Sequence, residues 1–222
     1  MQELLSNLRI NIPSSVYLKD PESSDLGKRI IEHSIVLIDG IGFEAFTFKK
    51  LGEVIGSNES SIYRYFENKH KLLMYLCSWY WGWLEYQLVL TTFSLKDPRE
   101  KLEKTIEVIS RKVTEDSTFT YVNEPLLSRI IIHENSKSFM TKQVDTENQE
   151  GGFESYKRLI QRVYTHIEAV APDYAYPKSL ASTLVETALH QHYLRDHFKS
   201  ITDCGEEAPT AFLSELLQKT IA

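Results

Sequence analysis

The stretch from Thr47 to Phe66, T-F-K-K-L-G-E-V-I-G-S-N-E-S-S-I-Y-R-Y-F, leaves a chain few ways to fold. Thr47 is a natural N-cap, because its hydroxyl can accept from the unpaired N–H groups of a first helical turn. Phe48, Leu51, Val54 and Ile55 then recur at helical spacing. Gly56 stands where a helix ends in a left-handed residue. Asn58 is a second N-cap, and Ile62, Tyr63 and Phe66 give the following helix its buried side. Two short helices about a glycine turn, the second opening on small polar residues, make the helix-turn-helix layout. In that layout the second helix enters the major groove of DNA with its first turn at the base edges.

The flanks sharpen this. Ile31 to Gly42 is an amphipathic helix ending at glycine, and Phe43 to Thr47 follow it. Beyond the second short helix come Tyr63-Arg64-Tyr65-Phe66-Glu67-Asn68-Lys69 and then Leu72-Leu73. The order resembles the DNA-binding domain of the TetR/AcrR family of bacterial transcriptional regulators: a helix, G-F, a Thr cap, I-A-x-x-x-G-V-S, then I/L-Y-x-H/Y-F-x-N/S-K-x-x-L-L. The likeness covers roughly residues 25–75. Gly52, Ser57 and Asn58 depart from the usual Ala, Val and Ser. Asn58 keeps the cap, whereas glycine in place of alanine costs a helix about 1 kcal/mol.

Charge neither supports nor excludes a nucleic-acid partner. The 222-residue chain carries a net charge of −6, yet residues 24–71 balance seven basic side chains against seven acidic ones. Lys49, Lys50, Arg64, Lys69 and Lys71 fall on or beside the proposed DNA face, so the case rests on the motif. An apolar fraction of 42% suffices for a buried core. Cys77 and Cys204 give neither a disulfide framework nor a metal spacing. The N-terminus lacks the basic start and apolar core of a signal peptide, and the longest greasy run, Leu72 to Leu84, falls short of the roughly 20 residues that span a bilayer. A cytoplasmic protein without membrane association is expected.

The rest of the chain reads as helix, and no alternating strand pattern appears. The sequence predicts an all-α protein: a mobile arm over residues 1–23, a three-helix reading domain over 24–70 with Ser24 as cap, and a helical bundle over 71–222. Within the arm a short helix from Gln2 to Arg9 is expected. A long helix runs from Lys69 to about Phe93, apolar on nearly every side, with Leu72, Leu76, Trp79, Trp83, Tyr86 and Leu90 on one stripe. Pro98, Pro125, Pro177 and Pro209 open further helices, another covers Phe153 to Val170, and residues 136–152 read as a flexible loop.

The resemblance carries roles over residue by residue. Thr47 should touch a phosphate, Lys49 a base or the backbone, and Asn58 should cap the recognition helix. Glu59, Ser60 and Ser61 should meet base edges. Tyr63 and Tyr65 should bond phosphates through their hydroxyls, with Arg64 and Lys69 clamping the backbone. Glu59 can accept only from a donor such as cytosine N4, or else it simply stabilises the helix start. The resemblance also implies a homodimer joined through the last two helices, about 177–198 and 209–221. Its palindromic double-stranded operator would be released by a small apolar or aromatic effector, which makes repression the expected mode. Candidate pocket residues with polar tips are Trp79, Trp83, Tyr86, Tyr121, His133 and Tyr164. The alternative is a regulator without an effector, answering to a protein partner or acting constitutively. No catalytic motif appears and no cofactor is expected. His190, His192, Asp196 and His197 do not make a metal site by spacing, and surface or interface histidines are the expectation.

Overall fold

Gly42 sets the geometry of the N-terminal part of the chain. In the computed structural model, which describes residues 9–116, 118–205 and 209–221, α1 runs from Asp25 to Ala45 but breaks at Gly42, whose φ of 77° and ψ of 156° lie outside any helix. Ser24 caps α1, accepting from the Gly27 N–H at 3.2 Å. Thr47 caps α2 (Phe48–Ile55), which ends at Gly56 with φ 61° and ψ 40°. Asn58 caps α3 (Glu59–Tyr63). Asn68 does the same for α4 (Lys69–Thr92), its Oδ1 accepting from the Lys71 N–H at 2.9 Å. The helices α5 (Pro98–Ser110), α6 (Glu124–Glu134), α7 (Ser136–Phe139), α8 (Val144–Gln149), α9 (Glu154–Val170), α10 (Pro177–His197) and α11 (Thr210–Ile221) follow. The described residues contain helices and no strand, so the chain is all-α.

Contacts divide the chain into two units, the first comprising residues 1–80 and 113–155. Its reading head buries Ile30, Ile31, Ile35, Ile38, Phe46, Leu51, Ile62, Phe66, Leu72 and Leu73 almost completely. Each such side chain contributes about 1.5–3 kcal/mol of apolar transfer, which fixes α2 and α3, helices too short to stand alone. Val54, expected on the buried stripe of α2, is instead exposed.

The break at Gly42 frees backbone groups that other elements satisfy. The Phe43 N–H donates to Glu134 Oε1 on α6 at 3.2 Å. Lys69 Nζ donates to the carbonyls of Phe43, Glu44 and Phe46 at 3.0, 3.1 and 3.4 Å. Arg29 reaches across from α1 to the Ile55 carbonyl at the end of α2.

Residues 9–23, expected as a mobile arm, are packed. Ile10, Ile12, Val16 and Pro21 are buried, and the Leu18 N–H donates to the Tyr65 carbonyl at 2.7 Å. The apolar residues of this strap are spaced too irregularly to stand out in the sequence. The helix expected from Gln2 to Arg9 falls almost wholly outside the described residues. Residues 136–152 also differ from expectation: two short helices form there, and Glu147 is buried, with both carboxylate oxygens 3.1 Å from His70 Nε2 and one of them 3.2 Å from Lys71 Nζ.

The second unit comprises residues 81–112 and 156–222. Here α5 packs on α10 and α11. Glu85, buried on α4, is held by Arg158 Nε at 3.0 Å and Arg162 Nε at 2.6 Å from α9. Trp81 meets Tyr156, whose hydroxyl donates to Glu186 on α10 at 2.7 Å. His192, expected at a surface or interface, is buried within the chain; its Nε2–H donates to the Ser110 carbonyl at 2.9 Å, and burial holds its pKa below the usual histidine range.

Candidate nucleic-acid interface

The head presents two kinds of polar side chain, those spent on the fold and those left facing solvent. Asn58 Oδ1 accepts from the Ser61 N–H at 2.8 Å and from the hydroxyls of Ser60 and Ser61 at 3.1 and 2.7 Å. The backbone donor identifies that atom as the oxygen, so both serine hydroxyls must donate to it. Their lone pairs remain free to accept. The turn is held tightly because Gly52 is buried against it: a Cβ there would lie 2.7 Å from the Ser57 carbonyl oxygen. The glycine that departs from the family pattern is therefore required by the close approach of the turn.

Around this turn, Thr47, Lys49, Tyr63 and Arg64 are exposed. Lys49 and Arg64 form no ion pair among the described residues. Tyr63 is braced edge-on against Phe48, with ring centroids 5.0 Å apart, and remains 47% exposed. Thr47 Oγ1 accepts from the Lys50 N–H at 3.2 Å, and Lys50 Nζ is turned back to the Ala45 carbonyl at 2.8 Å.

Two residues expected at phosphates have partners within the head. Tyr65 is buried, and its hydroxyl lies 2.7 Å from Ser24 Oγ at the start of α1 and 3.4 Å from Lys19 Nζ. Its alternation with Tyr63 puts the two rings on opposite sides of the chain, one outward and one inward. Lys69 is occupied with the three carbonyls beyond Gly42 and sits 4.8 Å from the Phe43 ring centroid. Both residues build the head.

The six candidate pocket residues are not gathered in one unit. Trp79, Tyr121 and His133 belong to the first, Trp83, Tyr86 and Tyr164 to the second. Trp79 is fully buried, edge-on to Phe119 at 5.1 Å, and the Tyr121 hydroxyl donates to Glu22. His133 is exposed and its Nδ1–H donates to the Arg129 carbonyl at 2.7 Å. Trp83 is buried, Tyr86 half-buried, and the Tyr164 hydroxyl donates to Glu168 one turn away at 2.6 Å. Pockets within the units are formed by other residues. One of about 350 Å3 lies between α5, the end of α9 and α11, lined by Leu102, Ile106, Val170, Leu217 and Ile221 with Arg99 and Glu103. Another, of about 180 Å3, lies under the strap beside Tyr17, Glu22 and Tyr75. Among the described residues no group of three or more His, Cys, Asp or Glu could hold a metal ion, and no helix is long and apolar enough to cross a membrane.

Two capped helices about a left-handed glycine, the second with an exposed polar first turn, define a helix-turn-helix DNA-binding protein. Residues 30–76, most of α1 through the first turns of α4, match the N-terminal model of the bacterial regulatory proteins of the tetR family. No curated protein matches the chain. Solved structures that share its fold include PfiT and AibR. The superantigen PfiT superposes with a TM-score of 0.58 at 14% identity, over 91% of this chain and 98% of that one. AibR, in complex with isovaleryl coenzyme A and operator DNA, superposes with a TM-score of 0.52 at 14% identity, over 87% of this chain and 98% of that one. At such identity the likeness is one of fold.

Proposed function

We propose that this tetR-type DNA-binding regulator is a homodimeric, cytoplasmic repressor that holds a palindromic operator and releases it when a small apolar or aromatic molecule binds. The observation that carries the DNA side is the exposed set Lys49, Tyr63 and Arg64, whose two cations form no ion pair among the described residues, around a reading turn locked by Asn58. Thr47, Lys49, Tyr63 and Arg64 bind phosphates and set the register. Glu59, Ser60 and Ser61 offer acceptors and so favour bases that present amino groups, cytosine N4 and adenine N6.

Twofold pairing through α10 and α11 is supported by apolar side chains left exposed at that end of the chain, Phe198, Ile201 and Phe212. Such pairing presents two copies of α3 to successive major grooves. That AibR holds both an acyl thioester ligand and operator DNA supports ligand response in this fold. The burial of Trp79 and Phe119 edge-on to one another, with the Tyr121 hydroxyl taken by Glu22, favours a second reading, a regulator without an effector.

Selection of bound duplexes from a random pool, followed by sedimentation of the complex, tests the proposal. An inverted repeat with two protomers per duplex is expected, and a library of acyl thioesters and aromatic acids should contain a compound that releases it. A monomer on an asymmetric site would contradict the dimer, and bound DNA indifferent to every compound would favour the second reading.

A further inference from the structure

We propose that the strap of residues 9–23 supplies Lys19 as an additional phosphate-binding cation, extending the DNA face beyond the recognition helix. The inference rests on the reading of α1 to α3 as a DNA-binding head.

The strap joins the head at a place that matters. The Leu18 N–H donates to the carbonyl of Tyr65, the residue directly after Arg64. Lys19 Nζ lies 3.4 Å from the Tyr65 hydroxyl and 5.0 Å from its ring centroid. The backbone of the strap thus meets the chain directly after Arg64, and Lys19 follows that junction, although Lys19 and Arg64 lie 45 positions apart in sequence.

Within the strap Arg9 and Lys19 balance Asp20 and Glu22 in charge, but the ion pairs all go to Arg9. The neighbouring acids are both taken: Arg9 binds Asp20 at 2.9 Å and Glu22 at 2.7 Å. Asp20 also accepts from the Glu22 N–H at 2.9 Å, and Glu22 accepts from the Tyr121 hydroxyl. Lys19 is exposed and forms no ion pair among the described residues. The nearest acceptors it has are aromatic, and a phosphate oxygen is a far stronger partner for an ammonium.

The strap is also pre-ordered. Val16 is fully buried, and the Pro21 backbone presses so closely on Gly27 that a Cβ there would lie 2.1 Å from the Pro21 oxygen. A cation mounted on a fixed backbone loses less freedom on binding than one on a loose arm. Each phosphate it neutralises releases condensed counterions, which makes its contribution readable in the salt dependence.

The test compares the full-length protein with Lys19→Gln and Lys19→Arg on a duplex selected by the wild-type protein, by fluorescence anisotropy between about 50 and 200 mM salt. Thermal melting of each variant checks that the head remains folded. Lys19→Gln should lower the slope of log K against log salt by about 0.9 and weaken binding several-fold, and Lys19→Arg should restore both. If wild type binds and Arg64→Ala loses affinity while Lys19→Gln leaves slope and affinity unchanged, the strap is only a structural tie and the inference falls alone. If the wild-type protein binds no duplex, the DNA reading falls and takes this inference with it.

Discussion

Arg129 on α6 grips Asp39 on α1 through two parallel hydrogen bonds, Nε to Oδ1 at 2.8 Å and Nη2 to Oδ2 at 2.7 Å. The fork lies one turn before the break at Gly42, where Glu134 of the same α6 receives the freed Phe43 N–H. One helix therefore fixes both the last regular turn of α1 and the chain that leads into Thr47. Because Arg129 is half-exposed, the pair should add little to stability, about 0.5–1 kcal/mol of coupling in a double-mutant cycle of Arg129→Ala and Asp39→Asn followed by urea melting. Additive effects of the two changes would show that the fork does not couple them.

Gly52→Ala should destabilise the protein. On helix propensity alone the change ought to stabilise by about 1 kcal/mol. The Cβ would instead lie 2.7 Å from the Ser57 carbonyl oxygen, which is backbone and cannot swing aside. A loss of about 1–3 kcal/mol in urea melting is expected, of the size of other overpacked sites. A rise in stability would mean that the turn relaxes freely.

Tyr63 and Tyr65 should behave oppositely. Tyr65→Phe removes a buried hydroxyl bonded at Ser24 and should cost about 1 kcal/mol of stability. Tyr63→Phe removes an exposed hydroxyl, so it should leave the melting temperature unchanged and weaken DNA binding by about 1 kcal/mol, roughly fivefold. Melting and anisotropy on the two variants separate the roles; reversed effects would exchange them.

Glu124 makes stability depend on pH. Its carboxyl is buried at the start of α6, and burial pushes its pKa up to about 7 from an ordinary 4.5. The folded protein therefore holds the proton where the unfolded chain has lost it. Stability from this group falls as pH rises from about 4.5 to about 7, and the full penalty persists above. Glu124→Gln should thus gain stability relative to wild type at pH 8 but not at pH 4, with a difference of at most about 3 kcal/mol. Equal differences at both pH values in urea titrations would contradict the assignment.

Much of this was legible in local chemistry. Ser24, Thr47, Gly56 and Asn58 each announce a helix end because capping is decided within four residues, and Pro98 and Pro177 open helices for the same reason. What escaped depends on contacts distant in sequence. Nothing local says that Tyr65 turns inward to Ser24, that Lys69 serves the carbonyls beyond Gly42, or that a proline-interrupted N-terminal segment packs down with Val16 buried. The value of Gly52 was likewise invisible, since it is set by a carbonyl five residues later across a turn. The polar-tipped aromatic residues of the body carried the weakest signal, because a ring in a core and a ring at a ligand look alike in sequence.

The central claim is that the face formed by Lys49, Glu59 to Ser61, Tyr63 and Arg64 holds DNA. It is tested most directly by titrating one selected duplex with wild type and Arg64→Ala at several salt concentrations. Wild type should bind with an affinity that falls steeply with salt, while Arg64→Ala, folded by its unchanged melting temperature, should bind at least about tenfold more weakly with a slope smaller by about 0.9. Identical affinities and slopes for the two proteins would contradict the account.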